Sequence, residues 1–328
     1  MTGAQLRWGV LGAAHIARVA VVPAIRAAGG AVAAVASRDP ARARAWAAEI
    51  PGALACPNYQ SLLEADLDAV YLPLPNSLHL PWTLRALAAG RHVLCEKPLA
   101  LSAAEGEEME RAANGAGLVL AEAVMYRYHP RWRVVRQLIE QGRIGDLRHL
   151  RGTFTFPLAP PPDIRWQSEL GGGALYDVGS YLVNACRWLA GEPTRVLARA
   201  ALAHGVDLDG SVLMEFQSGE GPVSAELAYS FAATEHQVLE LIGTSGSLLI
   251  PRPFTAWRDE LVPLRLEEGG GLEVAAPAAD PYLEMVLAFT ERVGGGRALA
   301  QDLADSVLGL RALDAVRRSL ASGAWESP

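Results

Sequence analysis

Cysteine is scarce in this sequence, and its histidines show no metal-ligand spacing. The three cysteines, Cys56, Cys95 and Cys186, are far apart and form no Cys-x-x-Cys pair. An odd number of cysteines without zinc-ligand spacing is typical of reduced thiols in a cytosolic protein. The histidines that show no such spacing are His15, His92, His149, His204 and His236. We therefore expect small buried thiols and no bound metal.

Long apolar runs and runs of positive charge are also absent. No uninterrupted apolar segment is long enough to span a bilayer, and no cationic region followed by an apolar stretch opens the chain. The formal net charge of −7 gives no electrostatic reason to bind nucleic acid or an anionic membrane. The sequence thus predicts a cytoplasmic protein without a nucleic-acid or membrane partner.

Apolar residues are plentiful by contrast. They make up 51 % of the 328 residues, which is ample for a sizeable core in about two domains. In the first third of the chain, apolar runs at residues 6–11, 31–36, 68–72 and 92–95 alternate with helical patterns. Short apolar strands separated by helices are typical of a parallel sheet covered on both faces. We therefore predict an α/β fold whose N-terminal domain contains a doubly wound parallel sheet.

A second region, beginning near Tyr126, has the alternating pattern of half-buried antiparallel strands. Strands are predicted at residues 147–156, 195–202, 211–216, 223–231 and 236–242, and helices at about 174–189, 281–293 and 302–320. We predict domains at residues 1–124 and 125–328. The second is an α+β domain with an open, mostly antiparallel sheet, and its C-terminal helix is able to pack back on the first domain.

A glycine-containing turn follows the first strand. Its pattern is Gly12-x-Ala14-x-x-Ala17, in which alanine replaces the second glycine of the usual dinucleotide fingerprint. Such a turn presents backbone N–H groups and a helix N-terminus to a pyrophosphate, although a tight turn without a nucleotide remains the alternative. The prediction is a Rossmann-type domain whose turn binds the cofactor through Gly9, Gly12, Ala13, Ala14, His15 and Ile16.

The end of the second strand indicates which dinucleotide is bound. An acidic residue about 20 residues beyond the turn would hydrogen-bond the ribose hydroxyls of NAD. This chain has Ser37 and Arg38 there, a donor and a fixed cation suited to a 2′-phosphate. Asp39, one residue further, is interpreted as a cap for the next helix. NADP is therefore preferred over NAD as the cofactor.

Two short segments carry residues suited to catalysis. Glu96-Lys97-Pro98 follows the fourth predicted strand, at the carboxyl edge where ligands of such sheets bind. Gly171-Gly172-Gly173 leads into a helix that places Asp177 and Tyr181 four residues apart, on one helix face. Each residue also has an ordinary interpretation: a solvated lysine, a carboxylate at a helix start, and a core tyrosine.

Several motifs together resemble the glucose–fructose oxidoreductase and inositol dehydrogenase family, from residue 7 to about residue 320. They are the turn at residues 9–17, Pro75-Asn76 with His79, Glu96-Lys97-Pro98, Arg127 with His129-Pro130, the triple-glycine helix, and Gly243-Thr244-Ser245-Gly246-Ser247. Many family members have His in place of Tyr181. The tyrosine form resembles the branch with xylose dehydrogenases, dimeric dihydrodiol dehydrogenases and nucleotide-sugar 3-ketoreductases.

The resemblance implies roles for individual residues. Lys97 and Tyr181 would be the catalytic pair, and Asp177 would help to hold substrate hydroxyls. Further cofactor-binding residues would be Leu74, Pro75, Asn76, His79, Glu96, Lys97, Arg165 and Trp166. Substrate-binding residues would be Lys97, Tyr126, Arg127, Arg165, Asp177 and Tyr181. Dimers or tetramers joined through the C-terminal sheet are also implied.

The chemistry of such a pair is sound in its own right. Hydride transfer between a carbinol carbon and nicotinamide requires a group that takes or gives the hydroxyl proton. A free tyrosine has a pKa of about 10, too high for an efficient base near neutrality. A nearby ammonium such as that of Lys97 stabilises the phenolate and lowers this pKa. Positioned proton transfer of this kind is typically worth roughly 10²–10⁴-fold in rate.

The sequence thus predicts an NADP-dependent oxidoreductase acting on a sugar or cyclic polyol, with oxidation of an aldose at its anomeric carbon as the preferred form. Two alternatives remain: reduction of a keto group on a nucleotide-linked sugar, and a non-catalytic dinucleotide sensor. A sensor would have lost the proton-transfer pair, whereas Lys97 and Tyr181 are both present.

Overall fold

The computed structural model describes residues 5–256, 260–296 and 298–328. The strands are β1 (Arg7–Leu11), β2 (Ala31–Ala36), β3 (Leu54–Cys56), β4 (Ala69–Leu72), β5 (His92–Cys95), β6 (Leu120–Glu122), β7 (Leu147–Thr155), β8 (Pro193–Ala203), β9 (Val206–Ser218), β10 (Gly221–Ser230), β11 (His236–Gly243), β12 (Ser247–Pro251), β13 (Leu264–Glu267) and β14 (Gly271–Val274). The α-helices are α1 (Val22–Ala27), α2 (Pro40–Ala47), α3 (Tyr59–Leu63), α4 (His79–Ala88), α5 (Ala103–Ala116), α6 (Arg131–Glu140), α7 (Ser180–Ala190), α8 (Pro281–Val293) and α9 (Leu303–Ser322). Two segments are π-helical, Ala17–Val21 and Leu175–Gly179.

The first of two compact units runs to Tyr128 and resumes over Pro281–Val307. Its strands are all parallel and form one sheet in the order β3-β2-β1-β4-β5-β6. Strand β4 is buried at all four positions, as expected for a strand covered on both faces. This order confirms the predicted doubly wound sheet. The order reverses between β1 and β4, where the carboxyl ends of the strands leave a crevice for a ligand.

A helix from the C-terminal part of the chain belongs to this first unit. Helix α8 packs against α1, and Phe289 of α8 contacts Trp8 of β1 with ring centroids 5.1 Å apart. Both rings are fully buried. The core of the first unit therefore includes residues separated by about 280 positions in the sequence, which no local pattern could bring together.

The second compact unit comprises His129–Asp280 and the chain from Leu308 onward. Its eight-stranded sheet has the order β14-β13-β12-β11-β7-β10-β9-β8. Among the described strands of this second sheet, only the β7–β10 pairing is parallel, so the sheet is mostly antiparallel, as predicted. Helix α7 packs against β7 and β10 on one face. Burial alternates along β10 and β11, as in a sheet with one covered face.

Several elements have too little local signal to be predicted. Strands β3 and β6 have three residues each, and β14 has no buried position. Helix α5, by contrast, has a local signal that the sequence analysis did not use: it is rich in Ala and Glu, and it begins where Ser102 accepts a hydrogen bond from the Glu105 N–H at 3.3 Å. Within the described residues, no helix is long and apolar enough to cross a membrane.

Candidate active site

The glycine turn lies at the carboxyl end of β1. Gly12 has a φ of +120°, and its N–H donates to the Ala36 carbonyl at 2.9 Å. A Cβ at Gly12 would approach Leu74 Cδ2 to 3.1 Å, so both the backbone angle and the space favour glycine. Gly9 differs, because its lack of a side chain makes room for Leu62 and Leu67. Glycine at position 9 is thus explained by packing.

The carboxyl end of β2 is positively charged. Arg38 is exposed and makes no ion pair with any residue that the structure describes. Asp39 accepts a hydrogen bond from the Ala41 N–H at 2.8 Å and caps α2, which confirms its predicted role. The Ser37 hydroxyl is buried and accepts from the Asp39 N–H at 3.2 Å. One oxygen of the Asp39 carboxylate is therefore used by the helix cap.

A second guanidinium, which the sequence analysis did not identify, lies at this edge. Arg42 of α2 donates to the Ala13 carbonyl of the glycine turn at 2.8 Å. The Arg38 N–H donates to the Tyr59 hydroxyl at 3.1 Å. Burial raises the pKa of Tyr59, while the charges of Arg38 and Arg42 oppose that rise, so both cations lie near its hydroxyl. Arg42 lies one helical turn after Arg38, a spacing that could have identified it.

The loop after β5 is held by buried groups on both sides. The Tyr71 hydroxyl donates to the Glu96 carboxylate at 2.5 Å. Burial and the Glu96 charge raise the pKa of Tyr71 well above its usual value, so Tyr71 stays a donor. On the other side, the Leu99 N–H donates to the Glu122 carboxylate at 3.0 Å, and Gln301 donates to its second oxygen at 2.6 Å. Lys97, half-buried, lies between these two anchors.

Lys97 has a further property that the sequence analysis missed: it is the only lysine among the 29 Lys and Arg residues of the chain. Arginine thus serves at every other cationic position. A lysine ammonium is compact and its pKa can shift, whereas a guanidinium is planar and always charged. Position 97 is therefore the one place in the sequence with a primary-amine side chain.

Other predicted residues of the first unit lie in the interior. Tyr126 and Arg127 are buried, and the Arg127 guanidinium forms an ion pair with Asp305. His79 begins α4 with its ring fully buried, and both ring nitrogens contact backbone carbonyls. Their predicted contacts with substrate and cofactor remain predictions. Leu74 is buried, and Pro75 and Asn76 are half-buried.

In the second unit, the helix predicted from residue 174 begins with the π-helical turn Leu175–Gly179 rather than with regular α-helix. π-Helical turns are frequent at functional sites. Asp177 lies within this turn, and Tyr181 lies in the first turn of α7. The Tyr181 ring is buried against Phe154 and Phe254, with centroids 5.7 and 5.3 Å away.

Arg165 joins two carboxylates beside this helix. Its Nε donates to Asp177 at 2.7 Å, and its Nη1 donates to Asp163 at 3.1 Å. The structure thus brings Arg165 and Asp177 together, as expected for residues of one site. Trp166 instead packs edge-on against Phe231 and His204, and its indole N–H donates to the Ala159 carbonyl at 2.8 Å.

Asp207 of β9 was not predicted, yet it holds the start of this helix. Its carboxylate accepts from the Leu175 N–H at 2.6 Å and also from the Ala174 N–H. A Cβ at Gly173, where φ is +111°, would lie 2.2 Å from Asp207 Oδ1. Glycine is therefore required for the carboxylate to approach. No local signal could identify Asp207, because about 30 residues separate it from the helix.

The fold and these residues define a class: a dinucleotide-binding parallel sheet joined to a second α+β unit, as in two-domain oxidoreductases. A family model described as an oxidoreductase family with an NAD-binding Rossmann fold matches residues 6–124. The GFO/IDH/MocA C-terminal domain matches residues 132–249. The chain belongs to the GFO/IDH/MocA family of oxidoreductases.

Similar proteins cover nearly the whole chain. A dTDP-3,4-didehydro-2,6-dideoxy-α-D-glucose 3-reductase of Streptomyces violaceoruber is 41 % identical over 96 % of this chain and 95 % of its own. A D-xylose 1-dehydrogenase (NADP⁺) of Haloferax volcanii is 37 % identical over 97 % of this chain and 98 % of its own. The crystal structure of a 3-ketoreductase from Actinomadura kijaniata, in complex with NADP and TDP-benzene, has a TM-score of 0.90 at 33 % identity and covers 96 % of this chain and 98 % of its own.

Proposed function

We propose that this protein is an NADP-dependent oxidoreductase that transfers a hydride between nicotinamide and a carbinol or carbonyl carbon of a sugar or cyclic polyol. The observation that carries this proposal is the single lysine, held half-buried in the loop after β5, in a chain that also has the buried Tyr181 in the first turn of α7, directly after the π-helical turn. When bound, NADP⁺ would accept the hydride from a carbinol carbon, and NADPH would donate it to a carbonyl carbon. The residues of this chain would bind the cofactor, orient the substrate and move the proton.

The carboxyl end of β2 fits the 2′-phosphate of NADP. Arg38 and Arg42 provide positive charge there, and one oxygen of the Asp39 carboxylate caps α2. The A. kijaniata ketoreductase was crystallised with NADP, and the H. volcanii relative is named as NADP-dependent. Both the charge at this edge and the relatives support NADP over NAD.

Lys97 and Tyr181 form the proposed proton-transfer pair. The Tyr181 ring packs against Phe154 and Phe254, and in the proposed pair the ammonium of Lys97 would stabilise the phenolate. Asp177, oriented by Arg165, is suited to hold a substrate hydroxyl. Two single variants of the A. kijaniata ketoreductase have been crystallised, one with a tyrosine replaced and one with a lysine replaced. Those two positions are as far apart in sequence as Lys97 and Tyr181.

The proposal is tested by nicotinamide absorbance with NADP⁺ and NAD⁺ against aldoses, inositols and cyclic diols. We expect Lys97→Met and Tyr181→Phe each to lower kcat by roughly 10²–10⁴-fold with NADPH binding intact. Because the two act as a unit, the double variant should lose little more than the worse single variant. Tyr176→Phe, in the same π-helical turn, is the matched control. Near-normal turnover in both single variants would refute the mechanism.

A second candidate substrate, a keto-sugar linked to a nucleoside diphosphate, is favoured by the relatives. The 41 % identical relative is a dTDP-keto-sugar 3-reductase. Oxidation of NADPH by such a keto-sugar, without reduction of NADP⁺ by free aldoses, would select this alternative. Silence toward both substrate classes with NADPH still bound would favour a dinucleotide sensor.

We further propose that the chain forms a homodimer or homotetramer through the open face of the second sheet. Leu213, Glu226 and Arg151 lie opposite one another on neighbouring strands, so they share one face, and all three are exposed in the single chain. A second copy would cover Leu213, which is 41 % exposed.

A further inference from the structure

One imidazole spans two loops at the carboxyl edge of the parallel sheet. His79 Nδ1 lies 2.9 Å from the Pro98 carbonyl oxygen, and its Nε2 lies 2.9 Å from the Leu74 carbonyl oxygen. Leu74 is in the loop after β4, and Pro98 is in the loop after β5, the strand paired with β4. The ring is fully buried, so solvent does not compete for these bonds.

Carbonyl oxygens only accept hydrogen bonds, so the ring is the donor in any hydrogen bond that it makes to either of them. A neutral imidazole has one N–H and donates to one of the two carbonyls, whereas an imidazolium donates to both. Burial lowers the pKa of His79, the carbonyls of Pro98, Leu74 and Leu99 raise it, and the positive charge of Lys97 lowers it. The ring therefore contacts both loops, and the charge of Lys97 affects its pKa.

We propose that His79 is a positioning residue that ties the loop after β5 to the loop after β4 and thereby sets the position of Lys97. The inference rests on the proposed function of Lys97. The Pro98 carbonyl belongs to the residue after Lys97, so a displacement of Pro98 also displaces the lysine backbone. His79 thus holds the residue directly after Lys97, and the bond from the Leu99 N–H to Glu122 holds the next residue of the same loop.

The two ring nitrogens can be tested separately with amide side chains. The amide nitrogen of His79→Asn can take the place of Nδ1 and keep the bond to Pro98. That of His79→Gln can take the place of Nε2 and keep the bond to Leu74. His79→Leu keeps neither. Arg44→Gln, at an exposed position of α2 in the same unit, is the control.

We expect His79→Leu to lower kcat on the order of 100-fold, because small misplacements of a catalytic group have effects of this size. The kinetic limb that reports the Lys97–Tyr181 pair should move to higher pH, since a displaced ammonium stabilises the phenolate less. His79→Asn should retain more of kcat and of the pH profile than His79→Gln. Equal losses in all three variants with an unmoved pH limb would show that the ring only fills space, and would overturn the proposal.

A second readout does not depend on activity. Because the chain has one lysine, protein grown with ¹⁵N-lysine has one labelled backbone amide, that of Lys97. Its resonance should shift most in His79→Leu and least in His79→Asn among the His79 variants, and should stay in place in Arg44→Gln. An unshifted resonance in folded His79→Leu would reject the positioning role even in an active enzyme. A shifted resonance in a protein that turns over no sugar would reject the proposed function and leave the positioning of Lys97 intact.

Discussion

At the residue scale, the positive edge beside β2 shows how a tertiary contact completes a local signal. Ser37 and Arg38 can be recognised from their distance to the glycine turn. Arg42 adds a charge because α2 folds back and brings its guanidinium to the Ala13 carbonyl. The two arginines are therefore not equivalent: the Arg38 guanidinium has no ion-pair partner among the described residues, whereas Arg42 also holds the turn.

Cofactor choice is predicted to depend on these two arginines. Arg38→Ala should weaken NADPH binding by about 10- to 100-fold and leave NADH nearly unchanged, because a charge-assisted hydrogen bond is worth about 1.5–3 kcal/mol. Arg42→Ala should weaken NADPH binding and also affect NADH, since it loosens the glycine turn. The control is Arg44→Ala, an exposed arginine of the same helix. Dissociation constants measured by nicotinamide fluorescence would contradict the phosphate site if Arg38→Ala weakened both cofactors equally.

At the element scale, the segment that carries Asp177 and Tyr181 depends on a cap from another strand. The side chain of Asp207 crosses from β9 to the N–H groups of Ala174 and Leu175, which have no acceptor within their own helix. Gly172 also permits a close approach, since a Cβ there would lie 2.5 Å from the Arg165 carbonyl. The triple glycine is thus explained by contacts with the Arg165 loop and with Asp207.

Removal of this cap should affect both stability and turnover. Asp207→Ala should lower the free energy of unfolding by about 1 kcal/mol, the usual cost of losing a helix cap, and should lower kcat because Asp177 and Tyr181 lose their support. Asp207→Asn keeps one acceptor and should lie between the wild type and Asp207→Ala. Asp209→Asn, two residues further along β9 and exposed, is the control. Urea unfolding with kcat on the same samples checks this, and an unchanged kcat in Asp207→Ala would exclude a role in positioning the helix.

At the scale of the whole molecule, each of the two units is formed from two separate segments of the chain. Residues up to Tyr128 and Pro281–Val307 form one unit, and His129–Asp280 with the chain from Leu308 forms the other. Helix α9 includes residues of both units. The predicted boundary at residue 124 rests on the sequence pattern alone. The place of α8 in the first unit depends instead on the buried contact between Phe289 and Trp8.

Global stability should fall in mild acid, partly because of His129. The ring is buried, and its Nδ1 accepts a hydrogen bond from the Arg131 N–H at 3.1 Å, which requires this nitrogen to be unprotonated. Burial and the Arg131 charge lower the pKa of His129 to about 4. In the unfolded chain this histidine has its ordinary pKa of about 6.5. Between about pH 6.5 and pH 4, the unfolded chain therefore binds a proton at His129 that the native state does not bind. Stability contributed by neutral His129 is therefore present above about pH 6.5 and is lost as the pH falls toward 4.

The expected loss from this one residue is about 2 kcal/mol between pH 7 and pH 4.5. His129→Asn should remove most of this part of the pH dependence, since asparagine does not titrate and its amide oxygen can accept the Arg131 N–H. Urea midpoints at the two pH values measure the effect, with exposed His149→Asn as the control. If wild type and His129→Asn lost the same stability in acid, the titration of His129 would not contribute.

The sequence by itself determined the parallel sheet, the glycine turn, the Asp39 cap and the segment that holds Lys97. These features depend on neighbours within a few residues. Apolar runs determine β1, β2, β4 and β5, and the short side chain of Asp39 accepts a hydrogen bond from the N–H two residues later. The contacts of His79 with Leu74 and Pro98, of Asp207 with Leu175, and of Arg42 with Ala13 were decided only by the tertiary structure. Each joins chain segments that strand order brings together, and local propensity contains no information about strand order.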